Sequence, residues 1–417
     1  MKSYSQALKI LKKGKILIND EYIECSKSLN RISAENIYSK VDNPSANNSS
    51  LDGYAINSND TKNLSKKKTK LFFISGTIEA GKKIISKNNK KFETYEIMTG
   101  GILPNGFNAI IPKEKIIFPK NENYSKYILI NEKIKKFYNV RFKGSDYKKN
   151  DLIVKKGTIL KPNHILAFKT LGVNKIKVKK IPNILFFSTG NEITEKLNIP
   201  NWKVRNSNIN YIQSINNNFS FKLIDGGILR DKDEYIFEKH LKKMINSNID
   251  IIITSGAVSE GKFDYIPKIV KKFKSSHYFK NVSIRPGKPI LFSKIKGKEK
   301  AVFGLPGNPM SSAACLRFFV YPFLENILSL SKEEPVKAIL KNNFEKKRNF
   351  TRFIKSKLNT TKNGKLEVKL LSGQESFKIN SFVASNVWAV LPYGKSKFKK
   401  GQIIDCFFPN QPNKILG

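Results

Sequence analysis

Between residues 181 and 328 one pattern occurs three times: an apolar run rich in β-branched or aromatic residues meets a glycine-bearing turn and then a helical pattern. The first run is Ile184–Phe187, followed by Ser188-Thr189-Gly190-Asn191-Glu192. The second is Ile249–Ile253, followed by Thr254-Ser255-Gly256-Ala257-Val258-Ser259-Glu260-Gly261. The third is Ala301–Gly304, followed by Leu305-Pro306-Gly307-Asn308-Pro309 and a predicted helix over Ser311–Leu324. Fully apolar strands alternating with helices predict a parallel, doubly wound α/β sheet covered on both faces. All three turns then lie on its carboxyl edge, where open α/β proteins bind ligands.

The chain has 417 residues, more than one ordinary core accommodates, and reads as several domains. Residues 1–45 and 141–180 predict a mixed α/β linker domain, with helices at Ser5–Lys12, near Ala34–Tyr38 and at Asn163–Leu171, and a strand at Lys175–Lys179. Residues 46–140 predict a β-rich domain, entered through a polar loop and carrying short strands at Leu71–Ser75, Asn108–Pro112 and Tyr127–Ile130. The doubly wound domain occupies 181–328. Runs at Val336–Leu340, Arg352–Leu358, Leu366–Leu371, Val387–Leu391 and Ile403–Phe408 predict a C-terminal all-β, barrel-like domain over 329–417. The fold class is therefore α/β multidomain.

Lysine and arginine number 77 against 33 acids, a formal charge of +44. Such an excess ordinarily points to nucleic acid. Here the lysines are scattered in short runs such as Lys66–Lys68 and Lys399–Lys400, accompanied by asparagines such as Asn216–Asn218, with no basic stripe interleaved with aromatics. That pattern fits compositional drift at solvated positions, and any nucleic-acid binding is expected to be weak, salt-dependent and sequence-blind. Cys25, Cys315 and Cys406 are widely separated and include no CxxC pair, which argues against a disulfide framework or zinc site and for a reducing compartment. No apolar run is long enough to span a bilayer. Met1–Lys15 lacks the continuous apolar stretch of a signal peptide, its Ala7, Leu8 and Leu11 fitting one stripe of a short helix. A cytoplasmic, non-membrane protein is expected.

Glycine turns let backbone N–H groups approach an anion, and a helix N-terminus adds about half a positive charge. Three such turns imply a phosphate-bearing or oxyanionic ligand. Gly256 to Lys262 also fits the GxxxxGK start of a P-loop, but Phe263 stands where a magnesium-binding hydroxyl is needed, so a P-loop is not expected. Asp264 reads either as the N-cap of a helix at Tyr265–Phe273 or as a carboxylate beside bound phosphates, sensible only with a cation between them. Glu192 and Asp231 sit at comparable strand ends, and Mg²⁺ is held by carboxylates together with substrate oxygens. Arg285-Pro286-Gly287-Lys288-Pro289 puts two cations around a rigid turn, suited to a tetrahedral dianion or a phosphate. His164, His240 and His277 read as structural residues in helices or loops.

In order along the chain, Ser49-Ser50-Leu51-Asp52-Gly53-Tyr54-Ala55, Ile97-Met98-Thr99-Gly100-Gly101, Ser188-Thr189-Gly190-Asn191-Glu192, Asn206-Ser207-Asn208, Ser255-Gly256-Ala257-Val258-Ser259 with Gly261 and Asp264, the Arg285 block and Gly304-Leu305-Pro306-Gly307-Asn308-Pro309 resemble the molybdopterin molybdenumtransferase family (MoeA, and the corresponding domain of gephyrin). The resemblance spans essentially the whole chain. It implies an elongated homodimer whose doubly wound unit binds molybdopterin. It implies a reaction that takes adenylylated molybdopterin and molybdate, releases AMP and leaves molybdenum on the dithiolene with help from a divalent cation, Mg²⁺.

By position the resemblance assigns catalytic roles to Asp52, Thr99, Glu192, Asp231 and Asp264, with Glu192, Asp231 and Asp264 toward the metal. Substrate binding falls to Gly100, Ser188, Thr189, Gly190, Asn208, Ser255, Gly256, Ser259, Gly261, Arg285, Lys288, Pro306, Gly307 and Asn308. The site would join the α/β domain of one subunit to the domain carrying Asp52 and Thr99 in the other. Expected partners are a molybdopterin adenylyltransferase and downstream molybdoenzyme maturation proteins. The chain departs from the family pattern at Asn47 and Asn191 (usually Asp), Leu51 (Met), Glu96 (Arg) and Ala257 (Gly). The alternatives are a non-catalytic scaffold, or an adenylyltransferase- or pyrophosphatase-like enzyme of the same α/β fold, which would lack the flanking Asp52 and Thr99 blocks.

Overall fold

The computed structural model describes residues 1–82, 90–215, 221–259 and 264–409. Its largest α/β unit is built on β1 (Asn183–Thr189), β2 (Lys222–Leu229), β3 (Ile251–Ser255), β4 (Ser275–Lys280), β5 (Leu291–Ile295) and β6 (Ala301–Leu305), with spatial order β2-β1-β3-β6-β5-β4. The first four neighbours run parallel, whereas β5 is antiparallel to β6 and β4 antiparallel to β5. The sheet is thus mixed rather than wholly parallel. A turn of only five residues joins β5 to β6, closed by Ile295 N–H donating to the Lys300 carbonyl at 3.0 Å, and that is too short for a parallel crossover.

Side-chain alternation on β1 explains why the sheet is covered on both sides. Ile184 and Phe186 pack in one core with Ile209, Ile212 and Ile215 of α1 (Ser207–Ile215) and with Ala7 and Leu11 of the N-terminal helix Tyr4–Lys13. Phe187 points the other way, into a second core with Phe237, Leu241 and Met244 of α2 (Glu234–Ile245) and Ile266 and Ile269 of α3 (Ile266–Lys272). The first core is closed by α4 (Pro309–Cys315), which runs through a π-helical turn at Leu316–Val320 into α5 (Tyr321–Ile327). The N-terminal segment is therefore core structure, its helix opened by a capping box between Ser3 and Gln6.

Residues 53–130 contain a five-stranded sheet ordered Ala109–Pro112, Gly53–Ile56, Glu93–Ile97, Lys70–Ile78, Tyr127–Ile130. Asp20–Glu24 pairs antiparallel with Lys175–Lys179, and Leu152–Val154 with Ile37–Tyr38, tying the first 45 residues to the stretch after 141. The helix expected near Ala34–Tyr38 is thus a strand. Ile37 is buried with Cys25, Val154, Leu160 and Phe168, a distant pairing that overrides local propensity. His277 also lies in a strand, and each histidine has a neighbour: Lys161 N–H donates to His164 Nδ1, His240 packs on Phe187, and His277 Nδ1 lies 3.2 Å from the Ser276 hydroxyl. All three cysteines are free and buried.

In the C-terminal region Thr351–Thr360, Leu366–Leu370, Val336–Leu340, Ile403–Phe407 and Val387–Leu391 pair in that order, and the last pairs back to the first. This closes a barrel around Leu340, Ile354, Val368, Leu370 and Ala389. Ile284–Arg285 adds to the rim, parallel to Thr351–Arg352, so the α/β unit and the barrel share strand pairing.

Phe187→Ala should lower the unfolding free energy by roughly 3–5 kcal/mol, the usual range for emptying an aromatic core site. Urea denaturation would show a lower midpoint at unchanged slope; a change under about 1 kcal/mol would mean the second face is not sealed by this ring.

Candidate functional site

The three glycine turns meet because their strands are in register. Ser188 pairs with Ser255, and Ser255 with Leu305, so β1, β3 and β6 end side by side at one edge. Gly256 N–H donates to the Leu305 carbonyl at 2.8 Å, and the Thr189 hydroxyl donates to the Ser255 carbonyl at 3.1 Å. Asn208, at the start of α1, donates through Nδ2 to the Ser255 hydroxyl and, at 2.9 Å, to the Gly307 carbonyl. Gly256 adopts φ +107°, and a Cβ there would lie 2.3 Å from Thr189 Oγ1, so only glycine fits. Thr189, Asn208, Ser255, Gly256 and Gly307 thus form one network.

Other residues of these turns have structural partners of their own. Ser188 is buried beneath the edge and donates its hydroxyl to Asn206 Oδ1, while Pro306 is buried and Gly307 exposed. Asn308 caps α4, its Oδ1 accepting from Met310 and Ser311 N–H groups at 3.1 and 3.5 Å.

Beside this network lie the acids. Asp231 Oδ2 accepts from Asn191 Nδ2 at 2.8 Å, and Asp231 N–H donates back to Asn191 Oδ1 at 3.3 Å. A second carboxylate at position 191 would repel Asp231; the amide makes a reciprocal pair instead. Arg230 braces the same turn, donating through Nη1 to the Gly190 and Ile193 carbonyls at 3.0 and 2.8 Å. The Glu192 carboxylate folds back over Gly190, its oxygens 2.5 Å from where a Gly190 Cβ would stand. Asp264 accepts a hydrogen bond from the Ser259 hydroxyl, and Lys280 donates to the Ser259 carbonyl at 2.9 Å. Asp264 is not the helix cap: that position belongs to Tyr265, which makes no side-chain capping bond. Gly261, with Lys262 and Phe263 of the P-loop-like stretch, lies outside the described residues.

Among the described residues no three or more His, Cys, Asp or Glu side chains converge as a ready metal cage. Glu192, Asp231 and Asp264, the acids expected to face a metal, do not form such a group.

In the β-rich sheet, Asp52 Oδ1 accepts from both the N–H and the hydroxyl of Thr99, each at 2.7 Å. These two bonds, with Lys113 nearby, hold the Asp52 carboxyl below the usual carboxylate range. Asp52 is consequently a carboxylate at neutral pH. Gly100, at φ +80°, donates its N–H to the Ser49 carbonyl and shapes the same corner. Glu96 is held in an ion pair with Lys113 at 3.3 Å and accepts from Thr77, and Asn47 Oδ1 accepts from Lys143 N–H at 2.9 Å. Leu51 packs on a small core with Ile97 and Phe107. The departures at 47, 51, 96 and 191 are thus accommodated locally. Ala257 takes the left-handed φ of +53° that its usual glycine would adopt without strain.

Arg285 and Lys288 are exposed on the turn that joins the α/β unit to the barrel. Sequence reading missed Arg352, the strand partner of Arg285. Its guanidinium lies over the Phe344 ring at 5.4 Å, and burial and then the charge of Arg285 push its pKa down. No local motif marks Arg352; only the pairing of distant strands reveals it.

Residues 2–172 match the description "MoeA N-terminal region (domain I and II)", 186–326 "Probable molybdopterin binding domain" and 337–407 "MoeA C-terminal region (domain IV)". The chain is 32% identical over 388 residues to a molybdopterin molybdenumtransferase of Staphylococcus aureus (strain COL), covering 92% of this chain and 90% of the relative. This chain belongs to the molybdopterin molybdenumtransferase (MoeA) family. A Staphylococcus epidermidis relative of the same name is 30% identical over 407 residues, covering 97% of this chain and 94% of its own. The crystal structure of a molybdopterin biosynthesis MoeA protein from Pyrococcus horikoshii superposes with TM-score 0.82 at 27% identity, covering 98% of both chains. The in-register turns lie within the stretch that matches the "Probable molybdopterin binding domain", and Asp52 and Thr99 within the stretch that matches the MoeA N-terminal region.

Thr99→Val should raise the Asp52 titration midpoint toward the ordinary carboxylate value, measured by carboxyl ¹³C NMR. Because folding depresses this pKa, the Asp52–Thr99 contribution to stability is present above the unfolded carboxylate pKa and fades as pH falls through the folded one. An unmoved midpoint would show that the hydroxyl is not the donor that matters. Gly256→Ala should weaken AMP binding with little change in the far-ultraviolet circular dichroism, since it disrupts the turn and not the strands; unchanged AMP affinity would remove this turn from the site.

Proposed function

We propose that the chain is a molybdopterin molybdenumtransferase, inserting molybdenum from molybdate into adenylylated molybdopterin with release of AMP. The observation that carries the reading is the stitched edge at which Thr189, Ser255, Gly256 and Gly307 are held together by Asn208. Backbone groups and hydroxyls there can cradle the pterin and the pyrophosphate link. Arg285 and Lys288, with Arg352 beside them, would hold the molybdate dianion, guanidinium forks suiting a tetrahedral oxyanion. The two dithiolene sulfurs bond to the molybdenum of molybdate as one oxo ligand leaves with two protons as water; a water then attacks the adenylate phosphorus, the phosphoanhydride bond breaks, and AMP leaves the pterin phosphate.

Asp264, oriented by Ser259, and Asp231, oriented by Asn191, would hold Mg²⁺ with Glu192 and the substrate phosphates. The ion would supply neutralisation of crowded negative charge. Asp52 and Thr99 would complete the site from a second subunit of a homodimer, Asp52 as a standing carboxylate and Thr99 as its donor. The domain limits proposed are 1–45 with 141–180, 46–140, 181–328 and 329–417. No helix among the described residues is long and apolar enough to cross a membrane. A cytoplasmic enzyme receiving its adenylate from a molybdopterin adenylyltransferase and passing its product to molybdoenzyme maturation proteins fits this chemistry.

With adenylylated molybdopterin, molybdate and Mg²⁺, the protein should release AMP, measured by mass spectrometry. Asp264→Asn or prior chelation should slow release by roughly 10–100-fold, the range seen when support of a metal site is removed. AMP release that is independent of molybdate, or equal in Asp264→Asn, would exclude the reading and favour an adenylyltransferase-like enzyme or a scaffold.

A further inference from the structure

Two cations from different parts of the chain, Arg285 and Arg352, are held side by side as strand partners although their charges repel. Beyond the strand pairing, and beside the barrel pairing of Arg352 with Leu391, contacts from both sides meet at one segment, the π-helical turn Leu316–Val320 between α4 and α5. Single π turns inside α-helices are frequently found at functional sites.

On the Arg285 side, Cys315, which leads into the turn, is packed against the Arg285 loop. Its Sγ lies 3.4 Å from the Gly287 carbonyl oxygen and 2.4 Å from where a Gly287 Cβ would stand. On the Arg352 side, Phe318 stacks on Phe353, the next residue in the barrel strand, with ring centroids 3.9 Å apart and planes 8° from parallel. The turn itself is pinned. Arg317, 2% exposed, forms a double hydrogen bond with Glu333 at 2.7 and 2.8 Å and donates through Nε to the Phe408 carbonyl at 2.6 Å. Tyr4 of the N-terminal helix donates to the Phe318 carbonyl at 3.3 Å and meets the Phe318 and Phe353 rings edge-on.

From this convergence we infer that Phe318 is a positioning residue for oxyanion recognition: its stack on Phe353 sets the spacing of the Arg285 and Arg352 guanidinium groups before the dianion arrives. A pair of cations already held together spares the ligand the work of assembling them, which is how preorganisation raises affinity. The inference rests on the reading of Arg285 and Arg352 as the molybdate cations.

The test titrates molybdate and, separately, AMP into the full chain by calorimetry. Phe318→Leu keeps an apolar filler but loses the stack; the melting temperature should fall modestly with the lost pair, the molybdate Kd should rise by up to roughly tenfold, and the AMP Kd should stay near that of the parent. Phe318→Tyr, which keeps the ring, should restore the molybdate Kd. If Phe318→Leu does not fold, Phe353→Leu breaks the same stack from the barrel side and is read in the same way. A molybdate Kd unmoved by loss of the stack, while Arg285→Ala weakens it, overturns the positioning role. So does equal weakening toward molybdate and AMP, which marks a general structural effect. If Arg285→Ala also leaves molybdate binding unchanged, the molybdate reading of this corner fails and the inference falls with it.

Discussion

The parallel register of β1, β3 and β6 is the constraint on which the remainder of the site depends. Because Ser188, Ser255 and Leu305 are strand partners, three chain reversals must share one edge, and their backbones crowd one another. Gly256 is the only residue type that can occupy its position against Thr189, and Asn208 satisfies the polar groups left between the second and third turns. Without that register, each turn would be a separate loop; with it, the three are tied into one hydrogen-bonded edge.

Around that edge, charge is managed by pairing. Asp231 is matched by Asn191 and Asp264 by Ser259, so neither acid requires a metal for the protein to fold. Cations stand among these acids as well: Arg230 braces the Gly190 turn and Lys280 the Ser259 turn, while Arg285 and Arg352 form a separate pair where the barrel strand meets the Arg285 turn. The barrel makes one hydrophobic body with the α/β unit: Phe318, Phe353 and Trp388 belong to the same core as β1 and β3.

Much of this was legible in the sequence because the signals are local. Apolar runs ending in glycine turns located β1, β3 and β6, and the five C-terminal runs correspond to the five barrel strands. The spacing of motif blocks identified the family. The short strand Ile37–Tyr38 was misread as helix, since its partner lies more than a hundred residues away and nothing nearby marks it as a strand. Asp264 also read as a helix cap, because sequence spacing does not fix the first turn to the residue, and the cap position falls on Tyr265. Glu96, a departure from the family's usual Arg, is accommodated by Lys113 and Thr77, which the sequence does not place beside it.

By itself the sequence determined which segments are strands and helices over most of the chain, where the glycine turns fall, and that acids, hydroxyls and cations are available near them. These properties depend on periodicity and on the conformational freedom of single residues. The tertiary structure alone decided that β4 and β5 form an antiparallel edge, that Asn191 faces Asp231, and that Arg352 stands beside Arg285. Each of those results from register between distant strands or from side chains meeting across a core. Such contacts depend on the summed packing of the whole chain, and no local pattern encodes them.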